Sequence, residues 1–175
     1  VCVTNINRQI HAVNTTVAQS KVIAMKNRIM DINPDCVVHA QQQFFMAENA
    51  ESILAAGFDY LIDAVDSVKH KVLLLALCRQ HNIPVVTTGG AGGKARANQL
   101  QTADLANTHG DRLLKKVRYE LRRHHGFKTL NKFNITAIFS DEPMTLPFCE
   151  TGDQQSYRLD CDSGYGTTPT VISCF

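Results

Sequence analysis

The stretch at residues 58–93 constrains the fold most, because it predicts a strand, a helix and a second strand in that order. The apolar run at 60–65 is short and rich in strand-forming residues, which is typical of a strand buried on both faces of a sheet. A helical pattern follows, and a second strand at 83–87 runs into the glycines of 89–93. A strand–helix–strand unit of this kind predicts parallel pairing.

Polar residues gather where these two strands end. Asp63 and Asp66 close the first strand, and Thr87 and Thr88 close the second, with the glycines directly after them. Parallel strands end at the same edge of a sheet, where open α/β sheets bind ligands, so we expect these residues to meet at one rim. Carboxylates there suit a divalent metal or a ribose, and glycines let the backbone approach a ligand. The alternative is that Asp66 only caps the next helix and the glycines only form a turn.

The region before this unit carries two basic residues suited to an anion. Residues 17–32 have the spacing of an amphipathic helix, and Lys21 lies in its first turn. A cation there opposes the helix dipole, which favours a docked anion. Arg8 presents a planar fork that fits phosphate oxygens. For both residues the alternative is an ordinary surface position. Residues 36–40 predict a short strand after this helix.

The remaining elements alternate in type along the chain. We predict a helix at 47–56 closed by Gly57, an edge strand or strand pair at 96–105, a helix at 111–125 and a strand at 133–139. This alternation predicts an α/β fold: a Rossmann-like, mostly parallel doubly wound sheet that is incomplete at both ends. Residues 1–175 are predicted to form one domain that lacks the first strand–helix unit.

Basic residues cluster in one segment, although the whole chain has a net charge of only +2. The cluster predicts a nucleic-acid contact, and the alternative is a solvated helix face. Its members are Lys115, Lys116, Arg118, Arg122, Arg123, His124, His125, Lys128 and Lys132.

The six cysteines include no Cys-x-x-Cys pair, which argues against a zinc site of the paired type. No signal peptide is recognisable, and no apolar run approaches the roughly 20 residues of a membrane span. A cytoplasmic, reduced protein is therefore expected. The chain starts at Val1 and ends on an apolar stretch, so we expect both ends to be cut from something longer.

The order of these motifs resembles the ubiquitin-activating-like adenylating superfamily of the ThiF/MoeB type. Within it, the chain is similar to the tRNA threonylcarbamoyladenosine dehydratases over nearly its whole length. The superfamily motifs are Val3-Thr4-Asn5, Asn7-Arg8-Gln9, Lys21, Ile32-Asn33-Pro34 and Asp63-Ala64-Val65-Asp66. The stretches that carry the narrower resemblance are 5–12, 62–67, 84–93, 102–105, 139–140 and 160–164.

The resemblance implies ATP and Mg²⁺ as cofactors. It places Arg8 and Lys21 on the triphosphate and Asp66 near Mg²⁺, and these three residues with Cys161 are the implied catalytic set. The implied cofactor contacts are Asn5, Arg8, Gln9, Lys21, Asp63 and Asp66.

The implied reaction is an ATP-dependent dehydration. The carboxylate of a threonylcarbamoyl group on a tRNA adenosine is activated by adenylation or phosphorylation, and an internal nucleophile then closes a ring. tRNA is the implied partner, a homodimer is the implied assembly, and the basic segment becomes a tRNA contact. Cys161 is a candidate acceptor of sulfur from a cysteine desulfurase. The alternative is a structural thiol, because Asp160 and Asp162 beside it disfavour a thiolate.

Two other functions stay open. One is adenylation of the C-terminus of a ubiquitin-like sulfur carrier, against which the missing Cys-x-x-Cys pairs argue. The other is a non-catalytic tRNA- or partner-binding module, against which the retained Arg8, Lys21 and Asp66 argue. The glycine-rich ATP loop of the superfamily and most of its C-terminal tail are missing from the chain. That tail can be hydrophobic and membrane-associated in relatives, so the cytoplasmic prediction covers this piece alone.

Overall fold

The computed structural model describes residues 1–6, 9–128 and 132–143 of the chain. The described residues fall into two compact units. The N-terminal unit includes residues 1–44 and 92–97, and the sheet unit consists of residues 45–91 and 98–143.

The N-terminal unit is built from short helical segments. Two 3-10 turns, Val3–Asn5 and Asn14–Thr16, precede helix α1, Lys21–Ile32. The helix begins later than predicted because Ala18 adopts a left-handed backbone with φ 68°, which breaks the helical path. It ends at Ile32, with Asn33 as the C-cap before Pro34, because the residue before a proline disfavours the helical conformation.

The strand predicted at residues 36–40 was wrong. Burial alternates along it as in a strand, with Val37 78% exposed, but the segment has no strand pairing among the described residues. An extended segment becomes a strand only through ladder hydrogen bonds to a neighbour, and side-chain periodicity carries no information about that neighbour.

The described residues of the sheet unit form three α-helices, one 3-10 turn at Leu105–Asn107 and a four-stranded sheet. The sheet has the order β1-β2-β4-β3; β2 pairs in parallel with β1 and β4, and β3 pairs antiparallel with β4. The mostly parallel prediction is confirmed, as is the edge position of the strand within 96–105. The elements are α2 Ala50–Leu54, β1 Leu61–Asp63, α3 Val68–Gln80, β2 Val85–Thr88, β3 Leu100–Asp104, α4 Arg112–His124 and β4 Thr136–Ser140.

Helices α3 and α4 supply much of the core of the sheet unit. Leu75 of α3 is fully buried, and so are Leu114, Val117 and Leu121 on the inner face of α4. Full burial of one such side chain stabilises the fold by roughly 1.5–3 kcal/mol. These side chains belong to one hydrophobic cluster, so α3 and α4 share the core of the sheet unit.

Strand β1 corrects one prediction. It is an edge strand of the described sheet, and its central Ile62 is 75% exposed, so it is not buried on both faces. Successive side chains point to opposite faces, which leaves Asp63 buried and Ile62 uncovered. Among the described helices, none has the length and hydropathy needed to cross a lipid bilayer.

Candidate functional site

The carboxyl ends of β1 and β2 meet as predicted. Asp63 and Thr87 are paired across the parallel ladder. The Thr87 hydroxyl donates to Asp63 Oδ2 at 2.6 Å, and the Thr88 hydroxyl donates to the Asp63 carbonyl at 3.4 Å. Parallel pairing alone therefore brings one carboxylate and two hydroxyls to the same rim.

A buried lysine completes this cluster. Lys71 Nζ lies 2.7 Å from Asp63 Oδ2 and donates to Thr87 Oγ1 at 3.0 Å. Lys71, Asp63 and Thr87 are all fully buried, and we call them the buried triad. Burial lowers the pKa of Lys71, and the charge of Asp63 opposes that shift.

The buried triad anchors the loop between β1 and α3. The second oxygen of Asp63, Oδ1, accepts a hydrogen bond from Val65 N at 2.9 Å. Asp63 is thus held by a lysine, a hydroxyl and a backbone amide, three residues before Asp66. The sequence interpretation gave Asp63 a supporting role but missed Lys71. Its helical spacing from Leu75 and Cys78, four and seven residues on, was the signal for a buried position.

Asp66 is in a different state. It is exposed, and it forms no hydrogen bond or ion pair within the part of the chain that the structure describes. The N-cap of α3 is Ser67, and no side-chain capping bond forms there. The alternative in which Asp66 only caps the helix was therefore wrong. Its carboxylate remains available to an external ligand beside an anchored loop.

The glycines after β2 have a packing role that sequence reasoning did not identify. A Cβ at Gly89 would clash with the Asp111 carboxylate and lie 3.1 Å from Phe139 Cβ. Gly90 N donates to Asp111 Oδ2 at 2.9 Å, while Asp111 Oδ1 accepts from Leu114 N at 2.8 Å as the N-cap of α4. Asp111 thus ties the loop after β2 to the start of α4.

The N-terminal unit holds the predicted contacts Asn5, Gln9 and Lys21. Asn5 is buried, and its side-chain oxygen accepts from Cys2 N at 3.0 Å. Gln9 Oε1 and His11 Nε2 are buried without a hydrogen-bond partner. Burial, and then the positive charges of Lys21 and the N-terminus, lower the pKa of His11. Lys21 is exposed at the first position of α1.

These features fit the implied cofactors. A buried acceptor without a donor is costly, and a nucleotide's hydroxyl or amino groups are donors that Gln9 Oε1 lacks among the described residues. Mg²⁺ bound to a nucleotide needs only one or two carboxylates besides phosphates and water, which Asp66 satisfies. The described residues contain no group of three His, Cys, Asp or Glu that would form an all-protein metal cage.

The predicted residues thus divide between the two units. Asn5, Gln9 and Lys21 belong to the N-terminal unit, and Asp63 and Asp66 belong to the sheet unit. Their convergence on one ligand stays a prediction. Arg8 and Cys161, the other two predicted catalytic residues, lie outside the described residues.

Comparison with known proteins gives a consistent result. The model of the ThiF family matches residues 1–175. A tRNA threonylcarbamoyladenosine dehydratase from Haemophilus influenzae is 41% identical over the whole chain, which covers 68% of that protein. The Escherichia coli protein of the same name is 39% identical, with 69% of its length covered.

A solved structure of a relative supports the fold and was determined with a bound ligand. The crystal structure of the Escherichia coli tRNA N6-threonylcarbamoyladenosine dehydratase in complex with ATP superimposes with a TM-score of 0.80 at 42% identity. The match covers 84% of this chain and 61% of that one. The chain therefore spans about two thirds of its relatives, and the match confirms the Rossmann-like α/β fold.

Proposed function

The chain belongs to the ThiF family, and from this premise we propose that it carries out ATP-dependent dehydration of N6-threonylcarbamoyladenosine in tRNA. The proposal is supported by full-chain similarity to two proteins named for that activity. The observation in this structure that carries it is Asp66, an exposed carboxylate with no partner among the described residues, on a loop anchored by the buried triad. tRNA is the proposed partner. A homodimer, a cysteine desulfurase partner and a cytoplasmic location remain predictions.

When bound, ATP would supply the phosphoryl or adenylyl group that turns a carboxylate oxygen of the substrate into a leaving group. Asp66 would hold the accompanying Mg²⁺, and Lys21 would neutralise phosphate charge from the N-terminus of α1. Gln9 and Asn5 would orient the nucleotide through their side-chain amides. Each of these tasks is positioning or charge stabilisation, which is the main contribution a protein makes to such a transfer.

The buried triad would keep Asp66 in place during this reaction. Because Asp63 is bound on both oxygens, the backbone entering the β1–α3 loop has little freedom to move. A carboxylate on a preorganised loop loses less entropy when it engages a cation than one on a mobile loop. Lys71 and Asp63 are accordingly positioning residues, and Asp66 is the proposed catalytic one.

The test uses the full-length protein with ATP, Mg²⁺ and threonylcarbamoylated tRNA. Mass spectrometry of the tRNA nucleosides should show loss of one water from the modified adenosine, and no loss when ATP is omitted. A second reaction offers a ubiquitin-like sulfur carrier instead and follows formation of its acyl-adenylate. Water loss from tRNA supports the proposal, whereas an acyl-adenylate on the carrier with unchanged tRNA would replace it.

A further inference from the structure

Helix α4 concentrates the positive charge of the chain. Its 13 residues contain six Lys or Arg and a single Glu, for a net charge of +5, while the whole chain carries +2. The rest of the chain is therefore net acidic. The single acid, Glu120, lies 3.4 Å from His124 on the same helix.

Four residues of α4 form one stripe on its outer surface. Arg112, Lys116, Tyr119 and Arg123 are spaced by four, three and four residues, so they follow one another along one side of the helix. All four are exposed, and we call them the basic stripe. Its length is about 16 Å at 1.5 Å per residue. Lys115, also exposed, lies beside it.

The two remaining arginines of α4 serve the fold instead. Arg118 Nη1 donates to the Thr108 hydroxyl, and the Arg122 guanidinium lies 5.3 Å from the centre of the Phe133 ring. In contrast, neither Arg112 nor Lys116 has an ion pair among the described residues. The charges of Arg112 and Lys116 are therefore left without an acidic partner in the described part of the chain.

The basic stripe also contains a flat stacking surface. Tyr119 is 55% exposed, and the Arg123 guanidinium lies 5.8 Å from the centre of its ring and donates to its hydroxyl at 2.9 Å. The flat tyrosine ring and guanidinium plane suit the flat faces of bases in single-stranded nucleic acid, and the flanking cations suit the phosphates of its backbone.

A membrane surface fits the same helix poorly. Helices that lie on membranes bury an apolar face in the lipid. The apolar face of α4, with Leu114, Val117 and Leu121, is already fully buried in the core of the sheet unit. The exposed residues of α4 are basic apart from Tyr119, so the helix offers a membrane no exposed apolar face.

We propose that the basic stripe binds the phosphate backbone of the tRNA substrate, with Tyr119 and Arg123 stacking against an unpaired base. This rests on the proposed function, which makes an RNA the substrate. The unpaired bases in the loops of a tRNA can stack on aromatic rings and guanidinium planes, so a stacking surface next to a row of cations is suited to a tRNA loop.

The test compares two charge-matched double variants of the full-length protein. Lys116→Gln/Arg123→Gln removes two cations from the basic stripe, and the control Lys26→Gln/Arg28→Gln removes two from α1. The stripe variant should raise KM for modified tRNA roughly tenfold or more at low salt, with little change in kcat. The slope of log affinity for tRNA against log salt should fall by about 1.4–1.8. The control should match the wild type in both measurements.

A further variant tests the stacking contact. Tyr119→Leu keeps the charges and should weaken binding of a single-stranded RNA oligonucleotide about fivefold or more. Equal KM, equal salt slope and equal oligonucleotide affinity in all variants would overturn the proposal. So would a stripe variant that loses binding to phosphatidylserine vesicles while it keeps full tRNA affinity.

Failure of the proposed function gives a different result. In that case the wild-type protein removes no water from modified tRNA at any concentration. The salt-dependent affinity for unmodified tRNA still reports on the basic stripe, because that measurement requires no turnover.

Discussion

The buried triad and the basic stripe hold cations in opposite states. Lys71 has no exposed surface and lies 2.7 Å from a carboxylate, while Lys116 on the next helix is exposed and has no ion pair among the described residues. Both are lysines on helices of 13 residues, and both helices pack into one core. The comparison shows that charge alone does not give a lysine its role. A lysine in a buried ion pair stabilises the fold, whereas an exposed lysine without an ion pair is available to a binding partner.

The energetic consequences also differ. Breaking a buried ion pair strongly destabilises the fold, because removal of one member leaves the other charge buried without solvent or a partner. An exposed charge without a carboxylate partner costs little to remove from the fold, so its effect should appear only in binding. The following predictions test this division from the largest expected effect to the smallest.

Removal of Lys71 should have the largest effect on stability. Lys71→Met leaves the Asp63 carboxylate buried and unpaired, so we expect the free energy of unfolding to fall by about 3–5 kcal/mol. Urea unfolding followed by circular dichroism measures this. The control Lys116→Met should change it by less than about 0.5 kcal/mol.

A double variant tests whether the charge is the cause. Asp63→Asn/Lys71→Met removes both charges and should recover part of the stability lost by Lys71→Met alone. The single variant Asp63→Asn completes the comparison. If the stability lost in the double variant equals the sum of the losses in the two single variants, the ion pair is not the origin of the loss. The distinction between the two kinds of lysine would then fail.

Asp66 should affect activity without affecting the fold. Asp66→Asn keeps the size of the side chain but removes the charge proposed to hold Mg²⁺, so we expect kcat for tRNA dehydration to fall at least about 100-fold. The free energy of unfolding should stay within about 0.5 kcal/mol of the wild type, since Asp66 is exposed and forms no hydrogen bond or ion pair among the described residues.

The matched control is Asp59→Asn, another exposed carboxylate shortly before β1. It should retain wild-type turnover. Equal activity in the Asp66 and Asp59 variants would remove Asp66 from the catalytic set and leave the anchored loop without a function.

Cys78 gives the smallest effect and reports on the same buried environment as Lys71. Burial, and then the charge of Asp63, raise the pKa of the Cys78 thiol to about 11 from 9.0. The folded state therefore keeps a proton that the unfolded state loses above pH 9, and stability falls as the pH rises from 9 to 11.

Cys78→Ala should remove this contribution, which is about 2 kcal/mol at pH 11. The measurement is the free energy of unfolding of the wild type and of Cys78→Ala at several pH values. The slope against pH is compared, because a constant loss of stability from the smaller side chain does not change the slope. Identical slopes would show that the thiol ionises normally and that the site around Asp63 is wetter than the structure indicates.

Local sequence patterns predicted the features that depend only on residues close together in the chain or on one strand–helix–strand unit. The helix predicted at 111–125 forms as α4, and the meeting of Asp63 with Thr87 followed from parallel pairing. The pattern failed where a distant partner decides the outcome. The segment 36–40 has strand periodicity but no strand pairing among the described residues, and Ile62 is apolar yet uncovered.

The site was predicted in the same uneven way. Asp66 was identified from its place after a strand, because strand ends in parallel sheets collect functional groups. Lys71 was missed because a lysine in a helical pattern is normally solvated, and only the three-dimensional position of Asp63 makes its burial tolerable. Asp111 was recognised as a helix start, but its hydrogen bond to Gly90 N joins residues 21 positions apart.

We propose that Asp66 holds the Mg²⁺ of bound ATP, and one binding measurement tests this directly. The dissociation constant of ATP is determined with Mg²⁺ and with EDTA for the full-length wild type, Asp66→Asn and the control Asp59→Asn. We predict that Mg²⁺ tightens ATP binding in the wild type and in Asp59→Asn, and that Asp66→Asn loses about 1 kcal/mol or more of that gain. An equal gain in all three proteins would mean that Asp66 does not contact the metal, which would contradict the account.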